Sequence, residues 1–159
     1  MTAEDDPGMQ ALVAAQTPCI TLVGKTWDYH ATDVLRVSLE ENLSMIGESA
    51  EFLSSHSELI YDAEHFFDGY TANPEYAIQT LRAAAEGGAK WLVLCDTNGG
   101  TLPERVAEIT RLAKQALGDL EVEFGIHTHN DGAMAVANSL AAVDARSEEH
   151  TSELQSHVR

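Results

Sequence analysis

Cysteine is nearly absent: Cys19 and Cys95 are the only two in 159 residues, too few for a disulfide scaffold. Positive charge is scarce as well. Nine Lys and Arg stand against 26 Asp and Glu, for a formal charge of −17; such a chain repels phosphate backbones and anionic lipid, which excludes nucleic acid as a partner. No apolar run approaches the length of a bilayer span, so no membrane partner is expected. The stretch Met1 to Asp6 is acidic where a secretory leader would be basic and then apolar, and the reducing cytoplasm is the expected compartment. What remains, at 44% hydrophobic residues, is the composition of one globular domain or part of a larger one.

The chain repeats a pattern of short apolar run, polar loop and longer amphipathic stretch, which is the alphabet of an α/β protein. Ile20–Val23, Glu58–Tyr61, Trp91–Leu94 and Glu123–Ile126 read as four strands, near-continuously apolar and therefore expected to be parallel and covered on both faces. A helix follows each. The first is expected over Asp33–Leu53, capped by Thr32 or Asp33, with Val34, Leu35, Leu39, Leu43, Ile46 and Phe52 near helical spacing. The second opens with Asn73 as cap and Pro74 at its first position, and stops at Gly87-Gly88. A third begins at Thr101-Leu-Pro-Glu104, which reads as a capping box, and ends before Gly118. The fourth starts near Ala133 and carries Val136, Leu140 and Val143.

Strands recurring every 30 to 40 residues allow a doubly wound sheet or a barrel. No G-x-G-x-x-G follows any strand, which argues against a dinucleotide-binding sheet. Polar residues cluster instead after every strand: Lys25, Asp28 and His30; Asp62, Glu64 and His65; Asp96, Thr97 and Asn98; His127, His129, Asn130 and Asp131. Several strand ends converging on one polar site is the geometry of a barrel mouth, although a closed barrel needs eight units and four are present.

Gly125-Ile-His-Thr-His-Asn-Asp-Gly132 is the sharpest local signal. Strand alternation turns His127 and His129 one way and Thr128 the other, so the two imidazoles can chelate a divalent cation or form a hydrogen-bonded pair in a polar pocket. Asn130 and Asp131 are candidates to orient them. Asp62 and Glu64 share a face by the same alternation; either they solvate a loop, or Glu64 stabilises or relays a proton at a bound carbonyl. The Thr97 hydroxyl can donate to a substrate carboxylate or close a turn into the next helix. Cys95 reads as a buried small residue with nothing beside it to activate a thiolate.

Three segments, Tyr61-Asp-Ala-Glu-His-Phe-Phe-Asp-Gly-Tyr70, Leu94-Cys-Asp-Thr-Asn-Gly-Gly-Thr-Leu-Pro103 and Gly125–Gly132 with Ala135–Val143 after it, resemble the citramalate synthases. Gly24-Lys-Thr-Trp-Asp28 also fits. These enzymes belong with the 2-isopropylmalate and homocitrate synthases and 3-hydroxy-3-methylglutaryl-CoA lyase. The resemblance implies part of a (β/α)8 TIM barrel, about its fourth to seventh strands, over residues 1–145. It also implies condensation of acetyl-CoA with pyruvate to citramalate and coenzyme A, in isoleucine biosynthesis, by a homodimeric parent. His127 and His129 would then be two ligands of a divalent metal ion, with Thr97 on the substrate carboxylate and Glu64 against the keto acid. The alternative within the family is 2-isopropylmalate or homocitrate synthase.

The family's first-strand Asp-Thr-Thr-Leu-Arg-Asp-Gly, source of a third metal ligand and of an arginine for the enolate, does not occur in this sequence. Aligned to the family, Met1 falls near the third strand and Ala145 just past the seventh. From Arg146 to Arg159 the barrel periodicity stops, and Arg146-Ser-Glu-Glu-His-Thr-Ser-Glu-Leu-Gln-Ser156 is what one frame of a common sequencing adapter encodes. These residues are therefore expected to be a non-native tail. By itself such a chain is expected to be inactive, and a non-catalytic truncated product is the competing reading of a different class.

Overall fold

The computed structural model describes residues 3–146. Four parallel strands, β1 (Cys19–Lys25), β2 (Glu58–Glu64), β3 (Trp91–Asp96) and β4 (Glu123–Thr128), lie side by side in chain order. That order decides between the two architectures left open by the sequence. A doubly wound sheet reverses strand order at a switch point, whereas a barrel adds each strand beside the last. The described residues therefore form an arc of a (β/α)8 barrel.

The register sorts the strand residues onto two faces. Leu22 pairs with Tyr61, Tyr61 with Leu92 and Leu92 with Phe124, and these side chains enter one apolar core with Ile46, Leu81 and Ile109 from the helices. Gly24 lies in this layer because the Tyr61 ring covers it: a Cβ there would sit 2.3 Å from the Tyr61 hydroxyl oxygen. Gly24→Ala is thus expected to destabilise the barrel by about 1–3 kcal/mol, the usual cost of overpacking, measurable as a lower urea midpoint.

The other face is the barrel lumen. Its lower levels are Thr21 and Val23 on β1, Ile60 on β2, Val93 on β3 and Gly125 on β4, and Val23 is 56% exposed. The expectation of two covered faces therefore fails on this side, because the strands that would close the lumen are not among the described residues.

Helices α2 (Leu39–Ser54), α4 (Pro74–Glu86), α5 (Pro103–Ala116) and α6 (Ala135–Arg146) follow the four strands; α1 (Pro7–Ala14) and α3 (Phe66–Ala72) are additional. Asn73 caps α4 through Tyr76 N, with Pro74 in its first turn, as the sequence suggested. The start of α2 is later than expected. Residues His30–Leu35 form a separate π-helical turn, Arg36 is left-handed at φ 61°, and Ser38, not Thr32 or Asp33, accepts from Glu41 N to cap the helix.

Two further helix starts differ. The expected capping box at Thr101 does not form, because the Thr101 hydroxyl donates instead to Asp96 Oδ1 at 2.8 Å. Ala133 has φ 58° and cannot begin a helix; Asn130 Oδ1 accepts from Ala135 N at 3.1 Å, and α6 starts there. The Val136 and Leu140 stripe of α6 faces outward at 75% and 62% exposure, while Asn138, Ala142 and Ala145 face the core.

Of the expected tail only Arg146 is described. It ends α6 and donates to the Phe124 carbonyl at 2.8 Å; residues 147–159 lie outside the described residues. No helix among the described residues is long and apolar enough to cross a membrane.

Candidate active site at the barrel mouth

At the upper end of the lumen face the register aligns Lys25 with Glu64 and Cys95 with His127. Alternation along each strand adds Asp62 one level below. This face was legible from strand spacing. Lys25 Nζ forms an ion pair with Glu64, so the Glu64 carboxylate is held from the neighbouring strand and not left to solvate a loop. Asp62 Oδ2 lies 3.5 Å from His127 Nδ1.

The two histidines of the His-x-His segment lie with ring centroids 5.1 Å apart, and both are exposed to the open lumen. Thr128 faces the opposite side, where its hydroxyl bonds the Ala135 carbonyl and Ser139 Oγ, each at 3.1 Å. Asn130 and Asp131 were expected to orient the imidazoles. Asn130 instead spends its side-chain oxygen on α6, and Asp131 is exposed beside Gly99. The imidazole neighbour provided by the structure is Asp62.

Thr97 does not close a turn into α5. Its hydroxyl oxygen accepts from His65 N at 2.8 Å, reaching back across to the end of β2. His65 itself has φ 56°, a left-handed conformation that costs a non-glycine residue free energy. The His65 ring is fixed by Asp68 Oδ2 at 3.1 Å, and that oxygen also accepts from Asn98 Nδ2 at 3.0 Å. His30 packs edge-on against His65 at 4.6 Å, with Trp27 against both. Burial, and then the neighbouring His65 and Lys25, lower the His30 pKa and favour its neutral form. Strand-end clustering already placed His30, His65 and Asn98 at the mouth, but nothing local to His65 signals the left-handed turn.

Below the mouth, Asp96 is buried on the helix side, accepting from Thr101 Oγ1 and from Asn138 Nδ2. Its carbonyl takes the backbone N–H of Gly99 and, at 3.2 Å, of His129. The His129 loop is thereby fastened to the end of β3. Gly99 is part of the same joint: it sits at φ 64°, and a Cβ would come within 2.9 Å of Asp131 N and His129 O. Gly99→Ala is expected to destabilise this joint by about 1–3 kcal/mol, the usual cost of overpacking added to a left-handed φ, read as a lower urea midpoint.

Cys95 is buried as expected, and its side chain is on the same face as the polar residues of the mouth. It lies on the lumen face between Asp62 and His127, and one donor atom from each of the three falls within 4.8 Å of the others. Strand alternation from Val93 could have placed Cys95 on this face, but not beside the other two. Burial, and after it the Asp62 carboxylate, raise the thiol pKa far above its ordinary value, so Cys95 is a neutral thiol at neutral pH. Two imidazoles, a carboxylate and a thiol form a donor set suited to a divalent cation.

Residues 2–148 match the HMGL-like family. This chain belongs to that family. The (R)-citramalate synthase of Aquifex aeolicus is 57% identical over 140 residues, covering 87% of this chain and 26% of the relative. That of Synechocystis sp. is 51% identical over 148 residues, covering 89% and 27%. Relatives named 2-isopropylmalate synthase or probable 2-isopropylmalate synthase match at 30 to 33% identity. This HMGL-like chain thus spans about a quarter of the length of the curated relatives it matches. The crystal structure of hydroxymethylglutaryl-CoA lyase from Pseudomonas aeruginosa superposes with a TM-score of 0.64 at 17% identity, over 86% of this chain and 46% of that one. The likeness extends to the fold.

Proposed function

We propose that the chain is the central part of a citramalate synthase barrel, whose whole enzyme condenses acetyl-CoA with pyruvate and releases coenzyme A. The observation that carries this reading is the gap between 57% identity to an (R)-citramalate synthase and 33% to a probable 2-isopropylmalate synthase over nearly the same stretch. The polar ring at the barrel mouth supports it. The whole enzyme is a cytoplasmic homodimer of isoleucine biosynthesis in this reading, and this chain alone has no turnover, because four strands leave the lumen open.

His127 and His129 would hold a divalent cation, which supplies Lewis acidity at the ketone of an α-keto acid. Thr97 accepts from His65 N–H, which leaves its own proton to donate to the keto-acid carboxylate. Glu64, held by Lys25, lies one level below and acts on the reacting carbons as a fixed carboxyl group. Its role is at the substrate. Glu64→Gln is therefore expected to lower turnover by about 100-fold, within the usual range for acid–base groups, with little loss of bound metal.

The test is coenzyme A release from acetyl-CoA by the barrel completed from its genomic locus, with pyruvate, 2-oxoisovalerate and 2-oxoglutarate as competing keto acids. Preference for pyruvate supports the reading. Preference for 2-oxoisovalerate moves the parent to the isopropylmalate branch.

The same locus tests the tail. Residues 146–159 are proposed to be translated adapter, and fresh genomic sequence should depart from the chain near Ala145 and continue into a further strand. Genomic codons for Arg146 to Ser156 would sink that idea.

A further inference from the structure

We propose that Asp62, Cys95 and His127 form a second cation site in the lumen, selective for a thiophilic divalent ion such as zinc or cobalt(II) over magnesium, and sharing His127 with the pair His127 and His129. The three residues come from three successive strands, so the sheet itself sets their spacing. Cys95 and His127 are register partners, and Asp62 reaches across from β2. Their donor atoms lie within 4.8 Å of one another. Ligand atoms about 2.0–2.3 Å from a tetrahedral zinc stand closer together than that, and rotation of the exposed His127 side chain can supply the difference.

The electrostatics favour a dication over the empty site. Asp62 Oδ2 lies 3.5 Å from His127 Nδ1, and donor atoms of both fall within 4.8 Å of one on Cys95. A cation between the three groups would face negative charge from the carboxylate and from the sulfur that coordinates it. The step is balanced without redox chemistry. The Cys95 S–H bond breaks, its proton leaves to the buffer, and a sulfur–metal bond forms. Magnesium, which prefers oxygen ligands and keeps its waters, gains little from sulfur. Because one imidazole serves both sites, a thiophilic ion bound here withdraws His127 from the upper pair.

The experiment needs no substrate and does not depend on which keto acid the enzyme uses. The complete protein from the source locus is stripped of metal and titrated with cobalt(II), following absorbance and proton release. The expected result is a thiolate-to-cobalt charge-transfer band in the near ultraviolet, with one proton released per cation. The band should persist in Cys19→Ser and in excess magnesium, and vanish in Cys95→Ser. His127→Ala, at an exposed position, should keep its fold and bind cobalt about 10-fold more weakly or worse. Cobalt binding without the band, a band retained in Cys95→Ser, or His127→Ala affinity equal to the parent's would each overturn the site.

Discussion

His127→Ala in the completed barrel is expected to reduce coenzyme A release from acetyl-CoA and pyruvate by about 1,000-fold or more, because losing Lewis-acid stabilisation worth several kcal/mol costs about tenfold per 1.4 kcal/mol. Thr128→Val, next to it in the chain, is expected to change the rate by less than about threefold. Its hydroxyl bonds the Ala135 carbonyl and Ser139 on the helix side of β4, so the loss is about 1 kcal/mol of stability and not chemistry. Metal content measured alongside separates the cases: His127→Ala should lose metal and Thr128→Val should keep it. Full activity in His127→Ala would remove this ring from the metal site, and a collapse in Thr128→Val would mean that β4 is turned the other way.

Expressed alone, residues 1–159 are expected to give insoluble or molten material. The sheet of the described residues has two open edges, β1 and β4, and parallel strands with unpaired backbone groups recruit other chains. Val23 in the lumen and Leu35, Met45, Val136 and Leu140 on the helices are also exposed, which adds apolar side chains to the surface beside those edges. Near-ultraviolet circular dichroism on Trp27 and Trp91, dye binding and thermal melting provide the check. A soluble monomer with a sharp cooperative melt would contradict the expectation.

How much could be read from the chain varied with the range of the interaction. Asn73-Pro74 announced α4 through local chemistry, and the spacing of His127, Thr128 and His129 announced which side chains share a face. The start of α2 was misplaced by six residues, because Val34 and Leu35 keep helical spacing while Arg36 and Ser38 break the backbone between them. The α6 stripe shows a related effect: Val136 and Leu140 keep helical spacing but face outward, and the core side of that helix is made of Asn138, Ala142 and Ala145. The small residues there let α6 approach the sheet, and Asn138 completes the buried bonds of Asp96.

By itself the sequence determined the four strands, their alternation and the polar residues that follow each, since period-two patterning and turn chemistry act over a few residues. It also determined the family, through long motifs in order. Only the tertiary structure decided the strand order that makes the sheet a barrel arc, the left-handed His65 beneath the Thr97 hydroxyl, the use of Asn130 as a helix cap, and the meeting of Asp62, Cys95 and His127. Each of these joins residues about thirty or more positions apart or depends on a backbone bond between separate loops, apart from the Asn130 cap, where two local partners compete for one side chain. Such choices are made by packing and register, which no local pattern encodes.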